Sequence, residues 1–262
     1  MKIRLQSKKC DNCDKDYDPV LSKCPHCGKA NSEFSRKLYP VNESSPVWKE
    51  LVFFLVGCIG LQIIVYIVSA IAGISLDTTG LKYRTIVNYV SYGVLFVILS
   101  LLVFSYWKAI LKVFKNKRTY LGFAVGIILI GFNLAYSAIL SKCGVGDNAN
   151  QEALIEVVST SKVWGFILLG VAGPICEEIT YRLGLFDLLK RVHLAIAYVV
   201  CAILFGFIHF DFTNPTLVEW LNIPNYVICG AILCFANDRF GIGASMIAHI
   251  MNNMLSLILM VI

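Results

Sequence analysis

The sequence predicts an all-α integral membrane protein, a polytopic bundle of about seven to eight transmembrane helices preceded by a small zinc-ribbon domain. Apolar residues make up 57% of the 262-residue chain and charged residues only 15%, against about 25% charged residues in soluble domains. Two C-x-x-C pairs near the N-terminus predict the ribbon. We therefore divide the chain into a ribbon over 1–28, a polar linker over 29–47 and a membrane domain over 48–262.

Seven apolar stretches approach the roughly 20 residues that cross a bilayer. They centre on 48–72, 86–107, 120–141, 162–180, 194–210, 217–236 and 241–262. The fourth stretch carries two glutamates at its end, and Pro224 interrupts the sixth. The N-terminus lacks the apolar core of a secretory signal, so the first span is expected to remain in the mature protein.

The positions of lysine and arginine predict the orientation in the cell membrane. If the N-terminus is cytoplasmic, the inner segments after the first span hold nine of these residues, five of them in 108–118, and the outer segments hold four. We therefore expect a cytoplasmic N-terminus and an external 142–160 segment. The net charge of +6 then reflects topology and attraction to the inner leaflet. No basic-aromatic pattern favours a nucleic-acid partner.

Four cysteines, Cys10, Cys13, Cys24 and Cys27, form the pairs CDNC and CPHC, separated by ten residues. Each pair can place two thiolates about 2.3 Å from one tetrahedral Zn²⁺ ion, and a cytosolic location keeps the thiols reduced. The alternative is a pair of redox or disulfide-forming motifs, which this spacing favours less. So short a segment needs its metal to fold, so we expect a structural zinc ion in a domain that supports the fold or binds a protein partner.

The stretch CEEITYRL places two adjacent glutamates and an arginine directly after an apolar run. Glu178 and Arg182 are four residues apart and share one helical face, so Arg182 can neutralise Glu178. Glu177 points elsewhere and has no local partner. A carboxylate within a membrane without such a partner is a functional candidate by default.

Two of the four histidines, His209 and His249, also lie in apolar stretches, where each needs a polar partner. Asn253 follows His249 by four residues on the same helical face. Taken singly, each residue has a common structural explanation: an interhelical hydrogen bond for a histidine or asparagine, or a helix end near the headgroups for the glutamates. Three spans with polar groups at helical spacing indicate instead a shared polar site.

The strings EEITYR (Glu177, Glu178, Arg182), FGFIH (Phe205, His209) and HIMNN (His249, Asn253) resemble the EExxxR, FxxxH and HxxxN motifs of the CPBP family of CAAX proteases and bacteriocin-processing enzymes, also called the Abi family. Their order along the chain agrees as well. The resemblance covers roughly residues 160 to 262, and the N-terminal ribbon lies outside it. It implies an intramembrane endopeptidase that hydrolyses a peptide bond of a membrane-associated protein or peptide.

The resemblance also implies roles for these residues. Glu177 would act as the general base and, together with His209, would activate a water. His249 and Asn253 would stabilise the oxyanion of the tetrahedral intermediate. Glu178 and Arg182 would hold the site together.

Two alternatives remain open from the sequence. Glu177, His209 and His249 could hold a catalytic zinc ion, although we favour the metal-free glutamate mechanism. The same fold could instead serve a non-catalytic immunity or scaffold protein that binds a bacteriocin-like peptide or sensor, or a transporter of small solutes. A substitution of Glu177 that removes only its charge separates an enzyme from a binding protein.

Overall fold

The computed structural model describes residues 8–17, 23–31, 47–73, 81–104, 111, 114 and 117–261. Most of the predicted linker, residues 32–46, and most of the 108–118 segment lie outside the described residues. The described part is almost entirely helical apart from a small N-terminal hairpin, which confirms the predicted fold class.

The described residues form two short strands and eight helices. They are β1 (Lys8–Lys9), β2 (Asp16–Tyr17), α1 (Val47–Ala72), α2 (Leu81–Leu102), α3 (Leu121–Lys142), α4 (Ala149–Thr160), α5 (Lys162–Lys190), α6 (Leu194–Phe207), α7 (Leu217–Phe240) and α8 (Ile242–Val261). The strands pair antiparallel, with Lys8 opposite Tyr17.

Six helices of the described chain, α1, α2, α3, α5, α7 and α8, are long and apolar enough to cross a membrane. The protein is therefore a multi-pass membrane protein. The seventh predicted span, 194–210, is wrong in length, because α6 has only 14 residues. Helix α4 was not predicted, since its sequence ANQEALIEVVST is mostly polar. Helix α7 continues through Pro224 because buried membrane helices tolerate a proline where neighbours satisfy the freed backbone groups.

Helix α5 is longer than predicted and irregular. It runs to Lys190, so Glu177 and Glu178 lie in the middle of the span and not at its end. Two π-helical segments, Leu168–Ala172 and Ile179–Phe186, flank the α-helical turn Gly173–Glu178 that carries them. Such segments commonly occur at functional sites, because the wider turn redirects side chains and exposes backbone groups.

Glycines allow the helices around α5 and α8 to approach closely. A Cβ atom on Gly184 of α5 would lie 2.7 Å from the backbone nitrogen of Phe54 in α1. A Cβ atom on Gly122 of α3 would lie 2.5 Å from the carbonyl oxygen of Ala244 in α8. Small residues at such crossings are typical of packed membrane helices. The central helices α5 and α8 are thereby held between α1, α3 and α7.

Ion pairs join three helices at one end of the bundle. Arg191, which follows α5, donates to both carboxylate oxygens of Glu50 in α1, at 2.8 and 2.5 Å. Lys190 pairs with Asp238 near the end of α7 at 2.5 Å. The start of α1 and the ends of α5 and α7 therefore meet at one end of the bundle, called here the ion-paired end.

Candidate active site and metal centre

A cavity of about 520 Å³ lies between helices α3 to α8. Its volume is within the usual range for sites that bind small ligands, about 300–1,000 Å³. Four of the predicted site residues line it: Glu177, His209, His249 and Asn253. The other two, Glu178 and Arg182, lie behind its wall and are fully buried. The structure thus brings side chains from three separate motifs into one space.

Glu178 occupies the centre of a buried charge network. Its Oε2 atom lies 3.3 Å from Nε of Arg182, one helical turn further along α5, and accepts a hydrogen bond from the hydroxyl of Ser245 in α8. Its Oε1 atom lies 2.8 Å from Nδ1 of His249. With both oxygens engaged by donors, Glu178 is a carboxylate that ties α5 to α8.

Arg182 is held on several sides. Its Nη2 atom donates to the carbonyl oxygen of Gly230 at 3.4 Å, and its guanidinium carbon lies 4.6 Å from the centre of the Phe205 ring. The side chain is completely buried. An arginine in such a position is stabilised by the Glu178 carboxylate and the face of the Phe205 ring together.

Glu177 faces the cavity. Its side chain is 21% exposed, whereas that of Glu178 is 0% exposed. The nearest described charge partner is His249, whose Nε2 atom lies 3.6 Å from Oε2 of Glu177. This Oε2 atom accepts no hydrogen bond from the described protein. Glu177 therefore lines the cavity with a partly exposed side chain, and among the described residues its buried Oε2 atom has only His249 near it.

His249 lies between the two glutamates, one at each ring nitrogen. Because Glu178 is already engaged by Ser245 and Arg182, Nδ1 of His249 is assigned as the N–H that donates to it. In the neutral ring Nε2 is then an acceptor. To donate a hydrogen bond into the cavity, His249 must carry a proton on both nitrogens.

His209 follows the end of α6 and is half-buried at the cavity wall. Its ring stacks on that of Tyr226 in α7, with 4.3 Å between the ring centres and an interplanar angle of 20°. Its carbonyl oxygen accepts a hydrogen bond from the side chain of Asn148 at 3.2 Å. Asn148 also accepts from the Tyr226 hydroxyl at 3.1 Å, so one asparagine connects the backbone and the stacking partner of His209.

Asn253 belongs to a chain of side-chain amides. Asn133 in α3 donates to Asn252 at 2.6 Å, Asn252 to Asn253 at 3.5 Å, and Asn253 to the carbonyl oxygen of Leu169 at 3.4 Å. Leu169 lies in the first π-helical segment of α5. The chain orients the Asn253 amide beside the cavity and leaves its second N–H for another acceptor.

Several contributors were missed by the sequence analysis. Ser245 lies four residues before His249, so the periodicity that selected Asn253 could have found it. Asn252 accepts a hydrogen bond from Asn133 between α3 and α8, an interhelical contact of a kind common in membrane bundles. Tyr226 carries no local signal, because a tyrosine in an apolar span is ordinary and its stacking on His209 depends on the fold.

The four N-terminal cysteines form the only group of three or more histidine, cysteine or carboxylate side chains in the described chain that could share one metal ion. Their sulfur atoms lie within 4.8 Å of one another. The Cys10 and Cys27 sulfurs are 3.5 Å apart, and those of Cys13 and Cys24 are 3.7 Å apart. Four ligands about 2.3 Å from a tetrahedral zinc ion would be about 3.8 Å apart, so the arrangement fits zinc.

The two C-x-x-C turns have the same geometry. The amide of Asp14 donates to the carbonyl oxygen of Cys10, and the amide of Gly28 donates to that of Cys24, each at 2.9 Å. Asp14 and Gly28 both have positive φ angles, 53° and 75°. Asp14 adopts this left-handed conformation although it has a side chain, which is rare outside such tight turns.

A backbone amide of each turn also acts to lower the pKa of one cysteine thiol. The amide of Lys29 and the side chain of Asn12 lower the pKa of Cys27 to about 6. The amide of Lys15 acts in the same direction on Cys13, but burial and the three neighbouring thiols raise the pKa of Cys13 to about 12. Four adjacent thiolates repel one another without a cation, so their full ionisation requires a bound metal.

Residues 159–255 match the family model described as Type II CAAX prenyl endopeptidase Rce1-like. All six predicted membrane-site residues lie within this range. The predicted family resemblance is confirmed. The Rce1-like region comprises the end of α4 and most of α5 to α8, and its match supports a CAAX-type intramembrane protease with a membrane-associated substrate. No curated protein and no solved structure matches the chain.

Proposed function

We propose that the protein is an intramembrane endopeptidase in which Glu177 activates a water to hydrolyse a peptide bond of a membrane-associated protein or peptide. The observation that carries the proposal is the contrast between the two adjacent glutamates. Glu178 is neutralised by Arg182 and fully buried, whereas Glu177 lines the cavity with a side chain that is 21% exposed and has an Oε2 atom that accepts no hydrogen bond from the described residues. A glutamate with a purely structural role is expected to have both carboxylate oxygens paired, because an unpaired buried acceptor is destabilising.

Water activation needs an acceptor and a second group to orient the water. Glu177 and His209 line the same cavity from α5 and from the end of α6. A water between them would lose a proton to the Glu177 carboxylate as its oxygen attacks the peptide carbonyl carbon. The proton then passes from Glu177 to the departing amine, so the hydrolysis balances without another reactant.

The developing oxyanion needs donors aimed at it from the protein. Asn253 supplies its second N–H, which the amide chain from Asn133 to Leu169 leaves unused. His249 supplies Nε2–H in its doubly protonated form.

Glu178, Arg182 and Ser245 act as positioning residues in this mechanism. Glu178 holds the His249 ring by its Nδ1 atom, and Arg182 and Ser245 hold Glu178. None of the three lines the cavity.

We favour a glutamate mechanism without a catalytic metal, because Glu177, His209 and His249 do not form a gathered ligand set among the described residues. A protein that begins near residue 45 tests this choice, since it lacks the ribbon cysteines. Loss of activity on zinc removal, with recovery on zinc addition, would establish a metalloprotease instead.

We further propose that residues 1–28 form a domain that binds one structural zinc ion through Cys10, Cys13, Cys24 and Cys27, and that the N-terminus is cytoplasmic. The ion-paired end supports the orientation. It places three cationic residues, Lys190, Arg191 and Arg239, at the same end of the bundle as the start of α1. The inner face of a membrane is enriched in such residues.

Single substitutions at the cavity test the proposed enzyme. Glu177→Gln, His209→Ala, His249→Ala and Asn253→Ala should each lower turnover by about 10² to 10⁴ while the protein stays folded. Glu156→Gln is the matched control, because Glu156 is an exposed carboxylate on α4 that does not line the cavity. A biological effect that survives Glu177→Gln at normal protein levels would favour a binding or immunity protein.

A further inference from the structure

Helix α6 is too short to cross a bilayer. Its 14 residues span about 21 Å, whereas the hydrocarbon core is about 30 Å thick. It begins beside the ion-paired end, three residues after Arg191. A helix of this length that starts at one boundary ends about 9 Å short of the opposite one, and His209 follows its last residue by two positions.

Four aromatic residues follow or face the end of α6, and we call them the aromatic cluster: Phe207, Phe210, Phe212 and Trp220. The ring centres of Phe210 and Trp220 are 4.7 Å apart, and those of Phe210 and Phe212 are 4.9 Å apart. Phe207 lies 6.1 Å from both Phe212 and Trp220. The four rings form one contiguous group.

The outer rings of this group are uncovered by the described protein. Phe212 is 69% exposed and Trp220 is 52% exposed. Trp220 precedes Phe240, the last residue of α7, by 20 residues, which corresponds to about 30 Å along the helix. Because α7 ends at the ion-paired end, Trp220 lies about one hydrocarbon thickness from that end, which is the depth expected for the opposite boundary. Tryptophan is enriched at that depth because its ring is apolar and its N–H is polar.

The aromatic cluster is connected to His209 through the chain and through hydrogen bonds of Glu219. Phe207 and Phe210 flank His209 in the chain, and the amide of Asp211 donates to Glu219 of α7 at 3.1 Å. Glu219 also accepts from the amide of Ala149 at the start of α4, at 2.8 Å. A displacement of the cluster along the membrane normal would therefore move His209 with it.

We propose that the aromatic cluster docks in the headgroup boundary of the bilayer, and that bilayer thickness thereby sets the position of His209 relative to Glu177. Glu177 lies on α5, which spans the whole membrane, whereas His209 is held between a short helix and the cluster. The occupant of this surface is lipid, because the cluster continues the apolar exterior of α6 and α7. The effect on turnover rests on the proposed hydrolytic function; the docking does not.

Docking is tested by the fluorescence of Trp220 in the full-length protein after Trp48, Trp107 and Trp164 are replaced by phenylalanine. The protein is reconstituted in phosphatidylcholine vesicles that contain lipids brominated either near the headgroup or near the end of the acyl chain. We expect stronger quenching by bromine near the headgroup. Stronger quenching by bromine at the chain end, or no quenching by either lipid, would overturn the docking and indicate another depth or a protein partner.

The positional effect is tested by turnover in vesicles of short-, medium- and long-chain phosphatidylcholine. The mismatch between the bilayer thickness and the hydrophobic length of the protein costs a fraction of a kcal/mol per ångström, and it changes by several ångströms across the series. We therefore expect kcat of the native protein to vary by about tenfold. Phe212→Ser should flatten this dependence. Tyr66→Ser is the matched control, because Tyr66 is an exposed aromatic residue on α1 and this helix packs on α2 and α5. This variant should show the same dependence on bilayer thickness as the native protein.

Two results separate this inference from the proposed function. Equal responses of Phe212→Ser and Tyr66→Ser, or a native kcat that is the same in all three bilayers, would overturn the positional effect. A protein that hydrolyses nothing in any bilayer, while Trp220 is still quenched near the headgroup, would overturn the enzyme and leave the docking intact.

Discussion

Replacement of Glu178 by glutamine should lower the free energy of unfolding by about 3–5 kcal/mol, the usual effect of removing one partner of a buried ion pair. The Glu178 and Arg182 side chains are both 0% exposed, so water cannot replace the lost charge. The glutamine oxygen can still accept from His249, but its NH₂ group then faces the donors of Ser245 and Arg182. The Phe205 ring and the Gly230 carbonyl remain near Arg182 and offset only part of the loss.

Thermal unfolding of the purified protein in detergent, followed by circular dichroism, measures this effect. At about 2–4 °C for each kcal/mol in a domain of this size, the midpoint should fall by about 6–20 °C. Glu177→Gln is the matched control and should melt near the native protein, because its carboxylate faces the cavity. The double variant Glu178→Gln/Arg182→Met should recover much of the loss, since it leaves no unpaired charge. A Glu178→Gln midpoint within about 2 °C of the native value would refute the reasoning about the buried network.

Three further predictions concern other parts of the molecule. Deletion of residues 1–28 should remove one bound zinc ion, measured by elemental analysis, and leave the turnover of the membrane domain unchanged; a collapse of turnover in a well-folded protein would show that the ribbon acts in catalysis. An impermeant maleimide added to intact cells should label Cys143, the exposed cysteine at the end of α3, whereas labelled ribbon cysteines would reverse the orientation. Gly184→Ala should destabilise the protein by about 1–3 kcal/mol in the same thermal assay, because the new methyl group would meet the α1 backbone. Gly93→Ala, which meets nothing within 4 Å, should not, and equal effects would contradict the close packing.

The membrane bundle could be predicted because its signal is compositional. Long apolar runs with few charges specify spanning helices regardless of which neighbours they meet. Helix α4 escaped this reasoning because its sequence is polar and its place depends on contacts with α2 and α8. The end of α5 was misplaced for a similar reason, since Arg182 and Asp187 break the apolar run although both side chains are buried in the fold.

Contacts within one helix of the candidate site could be predicted, because residues four apart lie on the same helical face. The pairing of Glu178 with Arg182 followed from a separation of four residues and is present in the structure. The position of His249 between both glutamates could not be predicted, because it depends on how α8 crosses α5. The place of Glu177 at the cavity wall likewise depends on how the helices pack, and no local sequence rule predicts the π-helical segments that flank its turn.

The hydrolysis of membrane proteins by Glu177-activated water is tested most directly by the appearance of new protein termini. Membranes from cells that express the native protein, Glu177→Gln or Glu156→Gln at equal levels are incubated in water enriched in ¹⁸O, and new carboxyl termini are identified by mass spectrometry. The native protein and Glu156→Gln should generate the same new termini carrying ¹⁸O, and Glu177→Gln should generate them about 10² to 10⁴ times more slowly. Equal formation of these termini by Glu177→Gln would contradict the assignment of Glu177 as the base.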